Sequence, residues 1–386
     1  RIRMCLEAAV QFYQANLRSS EAAKSYIEKR VVPAALLEKF SIGYAPDGYS
    51  VTYEHLLKCG FSKSEVLAAG LGIQRELQDE RILDRFRNRI MFPITDAQGA
   101  VIGFGGRDLG GQDAKYINSP EGLLYHKSSV LFGLHQAREA IRKTKQLILV
   151  EGYFDTVACH KAGIENVVAA SGTALTEDHV RLIKRYADSV ILCLDMDEAG
   201  QKAADRAFQL LSRADIPVLT VRIPSKDPDE LAIEDPSKLA HILQHAASPY
   251  IEMLLSEVSP SMSDIDRKAY LDRLFPLLAS LSSSLDLRSA IEKIAPALKV
   301  LDNELLRDFT SWKSREQQGK RAIIALPEEH LFASFELCIG LALLYPKQRE
   351  FLRELIALDE KIWEAVRLRI SSAPFSESSL DILATV

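Results

Sequence analysis

Residues 146–200, QLILVEGYFDTVACHKAGIENVVAASGTALTEDHVRLIKRYADSVILCLDMDEAG, decide the fold of this 386-residue chain. Short apolar runs (QLILVE, NVVAAS and SVILCLD) alternate with segments of helical spacing, and PVLTVRI at 217–223 continues the pattern. Nearly continuous apolar runs separated by helices are typical of a parallel sheet covered on both faces. The stretch therefore predicts an α/β fold.

Acidic residues follow two of these predicted strands. Glu151 ends the first, and Asp195 and Asp197 end the third. We place the two aspartates on the strand itself, two residues apart, so both side chains point to one face and Met196 points to the other. Carboxylates at the ends of parallel strands indicate chemistry rather than packing. A site whose ligands are all carboxylate oxygens suits Mg²⁺ or Mn²⁺.

A second acidic pair, Asp227 and Asp229 in KDPDE, follows the next strand. Five carboxylates at three strand ends would repel one another without a cation, which favours a metal site. The alternative is that Asp197 or Glu198 only caps the following helix. Asp155, one helical turn beyond Glu151, is either a supporting acid or a surface acid.

A basic segment precedes the acidic one. Residues 81–145 carry 11 Lys and Arg against 6 Asp and Glu, whereas the net charge of the whole chain is −5. RIMFPI and AVIGFGGR are predicted to form a hairpin that ends in Gly105-Gly106-Arg107, where we expect a ligand backbone to approach closely. Lys115, Asn118 and Lys127 follow. A cationic surface beside carboxylates suits a polyanion-processing enzyme, and the alternative is an edge hairpin with solvated charges.

The rest of the chain is predicted from local signals. Two helices precede residue 31, the second capped by Ser20, and Pro33 opens a third. Amphipathic helices follow residue 236, and polar WKSREQQGKRA is the best linker candidate. The chain begins at Arg1 without a leader, so we expect a fragment without a signal peptide. No apolar run reaches the ~18 residues of a membrane span, and the scattered cysteines suggest buried thiols in a reducing cytosol.

VEGYFD, ASGTALT, LDMDEAGQKAADRA and KDPDE together resemble the Toprim domain of bacterial DnaG-type primases. RFRNRIMFPI, VIGFGGR, KYINSPE and SYIEKR…FSIGYAP resemble the amino-terminal half of that family's RNA polymerase core. The likeness covers approximately residues 1–310, and the last helices more loosely resemble the start of its helicase-binding region. The predicted divisions are an α+β amino-terminal subdomain at 1–145, a Toprim parallel-sheet subdomain at 146–235, a helical subdomain at 236–312, a linker at 313–327 and a partial helicase-binding region at 328–386.

The resemblance implies a polymerase that makes short RNA primers on single-stranded DNA during replication. It implies metal-binding acids at Glu151, Asp195, Asp197, Asp227 and Asp229, of which the first three are catalytic, with Asp155 in support. It implies DNA- or nucleotide-binding roles for Arg30, Arg85, Arg87, Arg107, Lys115, Asn118 and Lys127. The implied partners are single-stranded DNA, ribonucleoside triphosphates, the RNA primer and the replicative helicase. The implied location is the bacterial cytoplasm, at the replisome, and no membrane is expected as a partner.

Three features of the sequence depart from the family pattern. The chain lacks the family's Cys/His zinc ribbon, so no zinc is expected and initiation should be poor. Met196 stands where a Gly commonly separates the paired aspartates, and Val31 replaces the Gly after Arg30. A Toprim-type nuclease, a topoisomerase-related enzyme and a non-catalytic DNA-binding scaffold remain alternatives. A topoisomerase needs a nucleophilic tyrosine, and none of the 12 tyrosines has a supporting context.

Overall fold

The structure is a computed structural model that describes residues 1–74, 81–110, 114–172, 174–195, 197–259 and 262–324. The chain divides into two compact units, Arg1–Arg307 and Asp308–Val386. Of the second unit, the described part is the continuation of one helix as far as Ile324.

The amino-terminal part of the first unit combines helices with an antiparallel sheet. Its helices are α1 (Ile2–Ser19), α2 (Glu21–Lys29), α3 (Ala34–Lys39), α4 (Val51–Lys58), α5 (Lys63–Ala68) and α6 (Leu134–Thr144). Its strands are β1 (Gly43–Ala45), β2 (Gly72–Ile73), β3 (Leu83–Asp84), β4 (Arg89–Thr95), β5 (Val101–Asp108) and β6 (Tyr116–Asn118). The Ser20 hydroxyl accepts the backbone N–H of Ala23, so the predicted cap of α2 is confirmed.

The predicted hairpin is confirmed by the antiparallel pairing of β4 with β5. The sheet order is β1-β4-β5-β6. The expectation that the glycines at the end of β5 leave room for a ligand backbone is wrong. A Cβ at Gly105 would overlap the Tyr153 ring, and a Cβ at Gly106 would lie 2.9 Å from Phe86. The absent side chains make room for packing within the protein.

The predicted parallel sheet is also confirmed, with shorter strands. It consists of β7 (Gln146–Val150), β8 (Val167–Ala169), β9 (Ser189–Leu192), β10 (Val218–Thr220) and β11 (Ser248–Pro249). The order is β11-β10-β9-β7-β8, and only the pairing of β11 is antiparallel. The associated helices are α7 (Tyr153–Lys161), α8 (Glu177–Ile183), α9 (Glu198–Arg213), α10 (Pro228–Glu234) and α11 (Pro236–His245).

An aromatic cluster joins the two sheets. Phe92 of β4 is fully buried and stacks on Tyr153 of α7, with ring centroids 4.9 Å apart. Phe132 meets the same tyrosine edge-on at 4.7 Å. Each such aromatic pair adds about 0.5–1.5 kcal/mol beyond the burial of its area. This packing fixes the hairpin against the start of α7, which begins two residues after Glu151.

Helices complete the described chain: α12 (Tyr250–Leu255), α13 (Asp264–Leu278), α14 (Ser284–Ala297) and α15 (Asp302–Ile324). The polar segment that the sequence suggests as a linker is helical up to Ile324. The remaining residues of the predicted linker and the predicted helicase-binding region at 328–386 lie outside the described residues. Within the ranges that the structure describes, no helix combines the length and apolar character needed to cross a membrane.

Candidate active site

The acidic side chains gather where the parallel strands end. Glu151 directly follows β7, and its Oε1 accepts the backbone N–H of Asp195 at 3.0 Å. This hydrogen bond ties together the ends of two neighbouring strands. Gly200 contributes to the same close approach, because a Cβ there would overlap the carbonyl of Asp195.

The prediction that Asp195 and Asp197 share a strand is wrong. β9 ends at Leu192, and both acids lie in the turn that leads into α9. Asp197 is the N-cap of α9, with its Oδ1 accepting the backbone N–H of Gly200 at 2.8 Å. A carboxylate is favoured there because it satisfies an unpaired N–H and faces the positive end of the helix dipole. Met196, expected to point away from the acids, lies outside the described residues.

Asp155 is the most deeply enclosed acid of the group. It lies in the first turn of α7, is 8% exposed, and accepts the backbone N–H of Gly152 at 2.9 Å. Burial, followed by the charges of the nearby carboxylates Asp227, Asp195 and Glu151, raises its pKa to about 7. It is therefore an interior member of the cluster rather than a surface acid.

Repulsion among the acids extends across the group. Burial, followed by the charges of Glu151, Asp227 and Asp197, raises the pKa of Asp195 to about 6. The pKa of Glu151 is raised by burial and by Asp197 and Asp227. Crowded carboxylates resist ionisation in this way when no cation separates them.

The two acids of the second pair, Asp227 and Asp229, make different contacts. Asp227 caps α10, its Oδ1 accepting the backbone N–H of Glu230 at 2.8 Å. Asp229 is 5% exposed and forms an ion pair with Arg30. The Arg30 guanidinium also lies over the Phe154 ring, 4.8 Å from its centroid. Arg30 is therefore held at the acids by charge and by stacking.

Basic side chains face the acids across a cavity of about 350 Å³, the basic cavity. Arg107 lies over the Tyr116 ring at 5.0 Å. Burial lowers the pKa of Lys115, as does the charge of Arg107. The predicted residues that line this cavity are Arg30, Arg107, Lys115, Asn118, Lys127, Glu151, Asp155, Asp195, Asp227 and Asp229.

Three predicted contacts are placed differently. Asn118 lines the basic cavity, but its amide accepts the Tyr153 hydroxyl at 2.7 Å and donates to the carbonyl of Ser171 at 2.9 Å. Arg85 donates twice to the Asn118 carbonyl, at 2.7 and 3.0 Å. Arg87 lies over the Tyr49 ring at 4.8 Å. Arg85 and Arg87 are not among the described lining residues of the cavity.

The aromatic residues of the site were not predicted from the sequence. Tyr116, Tyr153 and Phe154 line the basic cavity, and Tyr26 lies 5.6 Å below the Arg30 guanidinium. The helical spacing of Tyr26 and Arg30, four residues apart, was an available signal. Tyr116 was signalled by its position among basic residues, because aromatic and basic side chains together are typical of nucleic-acid sites.

The donor set fits a hard divalent cation, because it consists of carboxylate oxygens. Burial, together with repulsion from neighbouring carboxylates, raises the pKa values of Glu151, Asp155 and Asp195. Among the residues that the structure describes, no three Asp, Glu, His or Cys side chains already stand in an arrangement that could hold a metal. Binding would therefore require these side chains to turn toward a common point.

Family models match both halves of this site. Residues 12–138 match the amino-terminal domain of the DNA primase catalytic core, and residues 148–232 match a Toprim-like domain. The first match contains the basic hairpin. The second contains Glu151, Asp155 and both acidic pairs.

Bacterial DNA primases are similar to this chain over much of its length. The protein from Synechococcus elongatus is 40% identical over 265 residues, covering 66% of this chain and 37% of the relative. The primase from Halalkalibacterium halodurans is 33% identical over 338 residues, covering 81% of this chain and 55% of the relative. The chain thus spans between roughly a third and a little over half of these curated relatives, and matches only part of each.

Solved structures agree with the sequence matches. The RNA polymerase domain of Mycobacterium tuberculosis primase DnaG superimposes with a TM-score of 0.68 at 32% identity, covering 77% of this chain and 98% of that one. The structure of the Aquifex aeolicus primase with its zinc-binding and RNA polymerase domains superimposes with a TM-score of 0.68 at 30% identity. The match covers 79% of this chain and 74% of that one. The parallel sheet, the acids at its strand ends and the similarity to these proteins all agree. The chain therefore belongs to the bacterial DnaG-type primase family, and it contains the family's catalytic core with its Toprim domain.

Proposed function

We propose that this chain synthesises short RNA primers on single-stranded DNA by metal-dependent nucleotidyl transfer. The observation that carries the proposal is the basic cavity, in which acids from the ends of parallel strands face Arg30, Arg107, Lys115 and Lys127. A nucleoside triphosphate is a polyanion that needs cationic side chains for binding and a metal for reaction. The basic cavity supplies the cationic side chains, and its acids supply ligands for the metal.

We place the metal at Glu151, Asp195, Asp197 and Asp227, because Asp229 is already paired with Arg30. Mg²⁺ and Mn²⁺ are the candidates, since both take oxygen ligands and retain sites for water and phosphate. When bound, such an ion neutralises developing charge on the triphosphate and lowers the pKa of the attacking hydroxyl.

The side chains of the chain itself bind and orient the reactants. Arg107, Lys115 and Lys127 bind the triphosphate, and Arg30 is held beside the acids by Asp229 and Phe154. The 3′-hydroxyl oxygen of the primer then bonds to the α-phosphorus of the nucleotide. The bond from that phosphorus to the bridging oxygen breaks, pyrophosphate leaves, and the hydroxyl proton passes to water.

The partners of this reaction are single-stranded DNA, ribonucleoside triphosphates and the RNA primer. One neighbouring structure is of a DnaG primase catalytic domain bound to single-stranded DNA. Contact with the replicative helicase is proposed for residues 328–386, from sequence resemblance alone.

The deciding experiment is incubation with a primed single-stranded DNA template, ribonucleoside triphosphates and Mg²⁺ or Mn²⁺. We expect the RNA primer to be extended. Asp195→Ala should reduce extension by at least about 100-fold, since even residues that merely support a metal ligand are worth ~10–100-fold. DNA binding by the variant should be nearly unchanged. Cleavage of the DNA without RNA synthesis would instead identify a nuclease.

A second readout is independent of activity. Divalent metal should raise the melting temperature of the wild-type protein, because a ligand that binds only the folded state stabilises it. The increase should disappear in Asp195→Ala. It should persist in Glu139→Ala, which removes an exposed acid of α6 paired with Arg142. Equal metal stabilisation of all three proteins would contradict the assigned metal site.

A further inference from the structure

We infer that a second cavity, which shares Asp195 with the basic cavity, binds the 3′-terminal nucleoside of the growing RNA primer. This inference rests on the proposed function and extends it to the second substrate. The acceptor cavity, as we name it, has a volume of about 450 Å³ and lies between α9, the end of β10 and α12. Its walls include Leu194, Asp195, Gln201, Val221, Tyr250 and Met253.

Asp195 connects the two cavities, because it lines both of them. Nucleotidyl transfer requires the attacking and leaving oxygens on opposite sides of the reacting phosphorus. Two cavities that share a catalytic carboxylate allow one reactant to bind in each, next to the same acid. The remaining question is which reactant each cavity takes.

The charges of the two cavities decide this assignment. The basic cavity contains four cationic side chains beside its five carboxylates, and one of these cations, Arg30, is paired with Asp229. Among the described residues that line the acceptor cavity, Arg222 is the one cation, and it is paired with Glu257 at 2.9 Å. The same lining includes Asp195, Asp197 and Glu198. A triphosphate would be repelled there, because like charges in a partly desolvated site are costly. The acceptor cavity must therefore take a group of low negative charge.

The lining of the acceptor cavity suits a nucleoside. Val221, Leu194 and Met253 provide apolar surface on which a base can pack. Carboxylates and the amide oxygen of Gln201 provide acceptors, and ribose hydroxyls are donors that need acceptors. The volume lies within the ~300–1,000 Å³ that is common for small-molecule sites.

Contacts behind the lining hold this wall in place. Tyr250 is 1% exposed, stacks on Phe208 at 4.8 Å and donates its hydroxyl to Asp205 at 2.7 Å. Arg273 of α13 pairs with Asp205 and Glu257, each at 2.6 Å. Helix α12 is thereby fixed to α9 before any ligand binds. Such preorganisation lowers the entropy cost of binding.

The test makes two separate changes. One is a protein variant that fills the acceptor cavity, and the other is a primer that lacks the base expected to occupy it. Primer–template duplexes with an RNA primer are prepared in two forms, with a normal 3′-terminal nucleotide and with an abasic one. Binding is measured by fluorescence anisotropy, and extension by steady-state kinetics. On the wild-type protein we expect the abasic end to weaken binding about tenfold, equivalent to ~1.4 kcal/mol.

Ala204→Phe projects a ring into the acceptor cavity from the middle of α9. We expect it to raise the KM for the primer–template about tenfold and to leave the KM for the nucleoside triphosphate within about twofold, since the two substrates occupy different cavities. The variant should no longer distinguish the normal from the abasic end. Arg206→Phe, at an exposed position of the same helix, should behave as the wild type.

The outcomes separate this inference from the proposed function. Extension by the wild type with equal binding of normal and abasic ends would overturn the inference and leave primer synthesis intact. A wild type that extends nothing would contradict the proposed function, and the binding comparison would still decide what the cavity holds. If melting shows Ala204→Phe to be unfolded, Met253→Trp and the wild-type comparison of the two ends replace it. A raised KM for the triphosphate alone would assign the cavity to the nucleotide and refute the inference.

Discussion

Val31 has a backbone conformation that valine rarely adopts, with φ of 50°. It follows Arg30, the C-cap residue of α2, at a position where the family pattern has Gly. Left-handed geometry costs an L-residue about 1–2 kcal/mol, whereas glycine adopts it freely. Since Val31 is 53% exposed, little packing would be lost on substitution. We expect Val31→Gly to increase the free energy of unfolding by about 1 kcal/mol, measured by urea denaturation.

The matched control is Val51→Gly. Val51 is also exposed, but it is the first residue of helix α4 and is not among the positive-φ residues, so glycine there relieves no strain and only adds conformational freedom to the unfolded chain. The two Val-to-Gly changes should therefore have opposite signs. Destabilisation by both would show that the valine conformation at residue 31 carries no strain.

His160 predicts a pH dependence of stability. Its ring is 6% exposed, lies edge-on to Phe40 at 4.9 Å, and neither ring nitrogen has a hydrogen-bond partner within the described part of the protein. Burial, with a further contribution from Lys39, lowers its pKa to about 4. Between pH 6.5 and pH 4 the unfolded chain therefore binds a proton that the folded protein does not. Stability that is present above pH 6.5 is lost across this window, by up to about 3 kcal/mol.

His160→Leu should remove that part of the acid destabilisation, because leucine does not titrate. At pH 7.5 the variant should be at least as stable as the wild type, since it buries no unsatisfied nitrogen. The measurement is the free energy of unfolding from pH 7.5 to pH 4, with His245→Leu at an exposed ring of α11 as control. Parallel pH profiles for wild type and His160→Leu would refute the assignment.

At the scale of elements, β5 and α7 depend on the absence of a side chain at Gly105. A Cβ there would overlap the Tyr153 ring, which also stacks on Phe92 and holds Asn118. Gly105→Ala should therefore destabilise the protein by about 1–3 kcal/mol, the usual cost of overpacking a close-packed core. Gly122→Ala is the control, because its nearest neighbour would be 3.9 Å away. The two melting temperatures distinguish the cases, and an unchanged value for Gly105→Ala would contradict the packing.

The elements that the sequence predicts correctly are those that local signals specify. The cap at Ser20, the turn between β4 and β5, and the apolar runs of β7 and β9 each follow from neighbouring residues. The sequence also indicates which end of the sheet carries the acids. It fails to predict where β9 ends, because an aspartate followed by a helix is compatible with both a strand end and a cap.

The contacts that the sequence does not predict join residues that are far apart in the chain. Arg30 and Asp229 are separated by 199 positions, and no local pattern links them. Asn118 resembles a nucleic-acid contact by its neighbours, yet its amide is bound by Tyr153 and Ser171. Such pairings are decided by tertiary packing, which brings the two sheets together. Composition and spacing therefore identify the participants of the site but not their partners.

At the scale of the whole molecule, the separation of charge should govern DNA binding. The chain has a net charge of −5, while residues 81–145 carry 11 basic against 6 acidic side chains. Overall attraction to a polyanion is therefore weak, and binding must depend on the local basic surface. We expect affinity for single-stranded DNA to fall steeply as salt rises, because each phosphate contact releases counterions.

Arg87 is the residue for testing this dependence, since it belongs to the basic segment 81–145 but is not among the described lining residues of the cavity assigned to the triphosphate. Arg87→Gln should reduce the slope of log K against log salt by about 0.7, the contribution of one phosphate contact to single-stranded binding. Arg213→Gln is the matched control. Arg213 ends α9, a 16-residue helix about 24 Å long that begins at Glu198 beside the acids, so Arg213 lies at the end of the helix that is farther from the site. Fluorescence titrations between 50 and 200 mM salt, typical conditions for such slopes, would refute local binding if both variants changed the slope equally.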